Sequence, residues 1–254
     1  MSDNSVAGKH ILITGGASGI GAESALLLSK RGANVTIGDL NEADGNALVQ
    51  RINDEGGQAR FCKVDVSVSE SVEALFRSAI SDLGNIDVVI NNAGIDHDPK
   101  FMLEIDDATF HKNIAVNVNG VWYCMKQALA HMMENGGGHI INISSVAGIR
   151  AAPTLSAYSA AKHAVVGLTK TAAVEYARHN IRFNAVCPSF IRTPMVENVL
   201  SKLDERGQKA LVKANPMKRL GEPQEIAGAI AWLCTPESSF MTGHTVVLDG
   251  GMTA

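Results

Sequence analysis

Tyr158 and Lys162 lie four positions apart in the run Ser156-Ala-Tyr-Ser-Ala-Ala-Lys-His-Ala-Val-Val-Gly-Leu168. The run reads as helix, and at that spacing two side chains stand one above the other on the same helical face. An ammonium beside a phenol favours the phenolate, because a neighbouring cation stabilises the charged form of an acid. A phenol whose pKa is lowered in this way can exchange a proton with a substrate oxygen near neutral pH. A surface lysine beside a half-buried tyrosine would have the same spacing, so the elements around the pair decide its meaning.

Short apolar runs alternate with amphipathic stretches along the whole chain. Strands are predicted at His10–Thr14, Asn34–Gly38, Ala59–Val64, Ile86–Asn91, His139–Ser144, Ile181–Cys187 and Thr245–Leu248. They are rich in Ile and Val, as strands buried on both faces are. Helices are predicted near 19–31, 41–55, 69–83, 106–134, 156–179 and 223–234. This alternation implies parallel strands joined by crossover helices on both faces, hence an α/β, doubly wound, Rossmann-like fold with a seven-stranded parallel sheet. No linker or repeat divides residues 1–254, so one domain is expected.

The turns after the strands carry polar groups to one edge. Thr14-Gly-Gly-Ala-Ser-Gly-Ile-Gly21 follows the first strand and opens the first helix, with Gly15, Gly19 and Gly21 spaced G-x-x-x-G-x-G. Glycines there let the backbone turn tightly and approach a pyrophosphate, which the helix N-terminus then attracts. Ser18 adds a hydroxyl for a phosphate oxygen. Asp39 ends the second strand, eighteen positions beyond Gly21. A carboxylate there accepts hydrogen bonds from adenosine ribose hydroxyls and repels a 2′-phosphate. Gly16, Gly38 and Leu40 supply no cation for that phosphate, so NAD is expected rather than NADP. Asp39 also suits a helix N-cap, and the two roles can coexist. Asp65 and Val66 fall where an adenine ring would rest, although Asp65 equally suits a turn.

Asn91-Asn-Ala-Gly94 ends the fourth strand, where ligands of open α/β sheets bind. The two asparagines are also ordinary turn formers, while Ala93 and Gly94 permit close approach of a cofactor. Asp96 and His97 follow in a polar loop, facing either a substrate pocket or solvent. Asn117 and Asn119 interrupt an apolar helix, which predicts polar work or a distortion, with Asn117 the better placed of the two. Ser145 closes the fifth strand thirteen residues before Tyr158, so a strand-end hydroxyl can face the first turns of the next helix. Two prolines stiffen Pro188-Ser-Phe-Ile-Arg-Thr-Pro194. Beyond it, the apolar stripe Met195, Val196, Val199, Leu200 and Leu203 suits either core or a lid over an apolar substrate within 191–216.

Taken in order, Thr14–Gly21, Asp65, Asn91–Gly94, Asn117, Ser145, Tyr158-x-x-x-Lys162, Pro188–Thr193 and Asp249-Gly-Gly251 resemble the short-chain dehydrogenase/reductase family over essentially the whole chain. The resemblance implies reversible hydride transfer between NAD(H) and a secondary alcohol or ketone. Tyr158 would be the general acid/base. Lys162 would lower its pKa and bond the nicotinamide ribose, and the positive charge of the oxidised nicotinamide ring would favour the phenolate further. Ser145 would polarise the substrate oxygen, and Asn117 would anchor a water in the proton relay. Ile20, Leu40, Val66, Asn91, Ala93 and Pro188 would contact the cofactor, and Ile191 and Thr193 would hold its carboxamide. Asp96, His97, Ala147, Ser189, Phe190 and Met195 would shape the substrate pocket. The family usually has Gly where Ser189 stands, so pocket size or loop conformation differs here. The rival readings are a 3-ketoacyl thioester reductase using NADPH, which Asp39 argues against, and a non-catalytic NAD-binding regulator, which retention of all four catalytic positions argues against.

A net charge of −4, from 22 basic and 26 acidic residues, offers no basic surplus for nucleic acid. No apolar run approaches a membrane span, and the polar start Met1-Ser-Asp-Asn-Ser5 lacks a signal peptide's regions. The four cysteines lie far apart without a C-x-x-C pair, consistent with a reducing cytoplasm. The eight histidines show no metal-ligand spacing, and no metal is expected. The family resemblance further implies a homotetramer, with the long helices 106–134 and 156–179 at one interface and the last strand at another.

Overall fold

A computed structural model of the chain describes residues 5–254, so Met1–Asn4, and with them most of the polar start, lie outside the described residues. Seven strands form one sheet: β1 (His10–Thr14), β2 (Asn34–Asp39), β3 (Gln58–Lys63), β4 (Val88–Asn91), β5 (Gly138–Ile143), β6 (Ile181–Pro188) and β7 (Thr245–Leu248). All pairs are parallel, in the order β3-β2-β1-β4-β5-β6-β7. The order reverses between β1 and β4, and that switch point opens a crevice at the carboxyl ends of the strands.

Period-two alternation along each strand divides the interior into two cores. Ile11, Ile13, Val35, Ile37, Val88 and Ile90 pack against α1 (Gly19–Lys30), α2 (Glu42–Asp54) and α9 (Pro223–Leu233). Leu12, Val89, Ile140, Ile181 and Phe183 face the other way, onto α3 (Ser69–Leu83), α5 (Gly120–Glu134) and α6 (Ser156–Tyr176). The seven expected strands and their winding are those observed, with ends moved by one or two residues.

Two helices differ from expectation. The predicted helix 106–134 is divided into α4 (Asp107–Ile114), a wide π-type turn at Ala115–Asn119, and α5. The wide turn carries both interrupting asparagines, of which Asn117 is fully buried. The predicted helix 156–179 stops at Tyr176, where a tighter 3₁₀ turn leads into Asn180 in the left-handed region, φ 59°. The segment after β6 folds as α7 (Pro194–Ser201) and α8 (Glu205–Ala214).

Candidate active site

A cavity of about 890 Å³ lies over the carboxyl ends of the strands. The first turn forms its floor. Gly15 adopts φ 62°, and a Cβ on it would come within 2.6 Å of Ala93 Cα, so the β1 and β4 turns pack at a distance only glycine allows. Asn92 fastens the two together, its Nδ2 donating to Gly15 O at 2.7 Å and to Thr14 O at 3.1 Å. Ser18 is the N-cap of α1, yet its side chain makes no capping bond, which leaves the helix start able to receive an anion from the cavity. These features fit the diphosphate of a dinucleotide.

Asp39 closes one end of the cavity. Its carboxylate accepts from Ala17 N at 3.0 Å and from Asn41 N at 2.9 Å, while Asn41, not Asp39, caps α2. Asp65 lines the cavity with Val66, its Oδ1 accepting from Ser67 N and Oγ, so it also shapes the turn. Gly15, Ser18, Gly19, Ile20, Leu40, Ala93, Gly94, Pro188, Ile191 and Thr193 lie along the same cavity. Gly21 and Asn91 do not. A Cβ on Gly21 would meet Gly15 O at 2.2 Å, which makes it a packing glycine. Asn91 is buried in the sheet and donates to Asn142 Oδ1 at 2.8 Å.

The chemical groups meet at the centre. Ser145 follows β5 in extended conformation and accepts from Ala147 N at 3.1 Å. Ser144 Oγ donates to Lys162 O at 2.9 Å and Ser159 Oγ donates to Ala147 O at 2.9 Å, pinning the first turns of α6 against β5. Tyr158 and Lys162 are thereby turned into the cavity, with Lys162 Nζ 5.6 Å from the phenol ring centre and donating to Ile143 O at 2.9 Å. Asn117 lies behind them. Its Oδ1 accepts from Ile95 N at 3.0 Å, and its Nδ2 donates to Ile95 O at 2.8 Å and Asn113 Oδ1 at 3.2 Å. Gly94 lets Asn117 and Lys162 approach the β4 turn, since a Cβ there would come 2.8 Å from Asn117 Oδ1 and 3.3 Å from Lys162 Nζ.

Electrostatically, the protein alone reverses the direction expected for the phenol. Burial pushes Tyr158 up to about 12, against the pull of the Ser145 hydroxyl and with the help of the Asp96 charge. Burial likewise brings Lys162 down to about 8. Desolvation disfavours both charged forms more than their proximity favours them. The phenolate therefore needs further positive charge in the cavity.

A family model described as Enoyl-(Acyl carrier protein) reductase matches residues 15–253. The 2,5-dichloro-2,5-cyclohexadiene-1,4-diol dehydrogenase of Sphingobium indicum is 39% identical over 255 residues, covering 100% of both chains. The cyclohexanol dehydrogenase of Acinetobacter sp. is 38% identical over 254 residues, covering 100% of this chain and 98% of the relative. The crystal structure of levodione reductase superposes with a TM-score of 0.94 at 36% identity, covering 96% of this chain and 97% of that one. The chain belongs to the short-chain dehydrogenase/reductase family. It is an oxidoreductase of the alcohol dehydrogenase and ketone reductase type.

Asp96, His97, Ala147, Ser189, Phe190 and Met195 also line the cavity, with Leu155, Val199 and Leu211 adding apolar surface. α7 and α8 supply part of that wall, and none of their residues is fully buried. Ser189 keeps ordinary loop geometry, its N–H donating to Leu248 O at 3.1 Å. Thr193 caps α7, accepting from Val196 N at 3.4 Å. Sequence reasoning missed Asn92 and Asn113. The sequence places Asn91 rather than Asn92 against the cofactor, whereas the β1–β4 register pairs Asn91 with Thr14 in the sheet and leaves Asn92 to turn toward the glycines. Asn113 precedes Asn117 by four positions, a helical spacing that could have flagged it. Among the described residues no helix is long and apolar enough to cross a membrane, and no group of three acidic, His or Cys side chains could hold a metal ion.

Proposed function

We propose that this enzyme interconverts a cyclic secondary alcohol and its ketone with NAD(H). The observation that carries the reading is the meeting of Ser145, Tyr158 and Lys162, backed by Asn117, in one cavity whose substrate side is otherwise largely apolar. The cyclic alcohols named for its relatives support the ring. The carboxylate of Asp39 at the ribose end, without a neighbouring cation on β2, supports NAD.

The dinucleotide, when bound, supplies the hydride acceptor or donor and, when oxidised, a positive ring. The protein does the rest. Tyr158 Oη takes the proton of the alcohol in oxidation and returns it to the ketone oxygen in reduction. Ser145 Oγ donates to that oxygen and fixes its distance from the phenol. Lys162 holds the nicotinamide ribose and, protonated, supports the phenolate. Both amide protons of Asn117 are spent within the protein, so its hold on a relay water passes through carbonyl oxygen, the backbone one lying in the wide turn.

Absorbance of the reduced nicotinamide, followed with NAD or NADP against acyclic, alicyclic, aromatic and steroidal alcohols, tests the reading. NAD-linked oxidation of alicyclic alcohols is expected. A marked NADP preference with turnover of 3-ketoacyl thioesters would replace it by the 3-ketoacyl thioester reductase reading.

We also propose that the chain works as one domain, as a homotetramer, in the cytoplasm. Exposed Trp122 on α5, Val174 on α6 and Phe240 before β7 offer apolar contact surface, and all four cysteines are free thiols. Sizing the protein from a cytosolic extract should give four chain masses. A monomer, or absence from that extract, would contradict the proposal.

A further inference from the structure

The loop between β4 and α4 has an unusual degree of anchorage for an exposed segment. Both backbone groups of Ile95 bond the side chain of Asn117, Asp98 Oδ1 pairs with Lys202 Nζ just after α7 at 2.7 Å, and Lys100 N donates to Thr154 O at 2.9 Å. Asp96 and His97 are held between these ties, half-buried and facing the cavity. His97 Nδ1 lies 2.8 Å from Asp98 O. A carbonyl only accepts, so Nδ1 carries the hydrogen and Nε2 of the neutral ring keeps its lone pair. That Nε2 is buried with no hydrogen-bond partner, which costs stability unless a ligand donates to it. Asp96 presents an acceptor-only carboxylate beside it. Burial raises its pKa, and it lines the same cavity as Tyr158.

We infer that Asp96 and His97 form a second polar subsite that accepts a hydrogen bond from a substrate hydroxyl remote from the reacting carbon, so that the preferred substrate is a ring diol. The inference rests on the cyclic-alcohol reading and names the substrate class within it. Two acceptors call for a donor. A ring ketone or halogen at that position brings no proton, and a ring carboxylate meets a second negative charge. Apart from Asp39, Asp65 and Lys162, already placed above, the other ionic groups on the cavity wall are Lys112 and Arg150, donors of the opposite character, and Arg150 is engaged with Met252 O at 3.2 Å.

The test compares kcat/KM with NAD for cyclohexanol, cyclohexane-1,2-diol, cyclohexane-1,4-diol and 4-hydroxycyclohexanecarboxylate, in wild type, His97→Leu and Asp96→Asn. NADH binding by fluorescence reports an intact cofactor half in each protein. Wild type should prefer one of the diols over cyclohexanol by about tenfold or more, because a site built around a hydroxyl discriminates against the analogue lacking it. That ratio should fall about tenfold in His97→Leu, and Asp96→Asn gives an independent reading if His97→Leu does not fold. Equal or better turnover of cyclohexanol or the carboxylate by wild type would overturn the inference and leave the cyclic-alcohol reading standing. An unchanged diol-to-cyclohexanol ratio in both variants would also overturn it. Wild-type silence on all four alcohols would instead remove the reading on which it rests.

Discussion

Tyr158→Phe is expected to lower kcat by roughly a thousandfold, about 4 kcal/mol of transition-state stabilisation, within the range for loss of a positioned general acid/base. The variant removes one oxygen from a half-buried ring and leaves its packing in place. In the proposed mechanism Tyr158 passes the proton to the substrate oxygen while Ser145 holds that oxygen still. The expected signature is therefore a collapse of kcat with NADH affinity within about threefold of wild type. Full turnover in this variant would sink the assignment of the phenol, and with it the mechanism built on Ser145.

The second large effect combines activity and stability in opposite directions. Lys162→Met should lower kcat by roughly a hundredfold or more, because the ammonium proposed to support the phenolate and hold the ribose is gone. Without cofactor, however, the variant should be the more stable protein near pH 7. Lys162 is 4% exposed, and its pKa lies at about 8 against an ordinary 10.5, so folding penalises its charge. That penalty is fully present below about pH 8, where both folded and unfolded chains hold the proton. It is relieved as pH rises toward 10.5, where the unfolded chain still binds a proton that the folded one has released. The full difference corresponds to about 3 kcal/mol, reduced by the bond lost at Ile143 O. Denaturant unfolding of both proteins between pH 7 and 10 checks this. The variant's advantage should hold to about pH 8 and shrink from there to pH 10, and an advantage that stays constant or grows above pH 8 would show that burial of the cation is not the cause.

The architecture was readable because it rests on patterns with short physical reach. Ile- and Val-rich runs such as His10–Thr14, buried along its whole length, and Thr245–Leu248, partly exposed at the edge of the sheet, have ends that coincide with those expected. Asn117 and Asn119 disclosed a distortion through their poor helix propensity, though not its form. What stayed hidden depends on partners distant in the chain. Asn92 rather than Asn91 serves the crevice because the pairing of Thr14 with Asn91 turns Asn91 into the sheet. Likewise the sign of the Tyr158 shift depends on how completely the pocket excludes water, which no spacing of residues records. The four-residue interval shows that the lysine is near the tyrosine, but not that burial outweighs it.

The wide turn at Ala115–Asn119 can also be considered as a matter of phase. It holds one residue more than the same stretch of α-helix would, and each residue of an α-helix advances the face by about 100°. α5 needs Val121, Cys124, Met125, Ala128 and Met132 in the core beneath the sheet, while Asn113 and Asn117 must meet each other and the backbone of Ile95 after β4. The surplus residue lets the two demands be met independently, as a gear inserted between two shafts sets their relative rotation. Exchanging one side chain for another cannot alter that setting, whereas gaining or losing a single codon would reset every side chain on one side of it. For this helix, length is the constrained quantity, and an alignment gap of one would mark a larger departure than many substitutions.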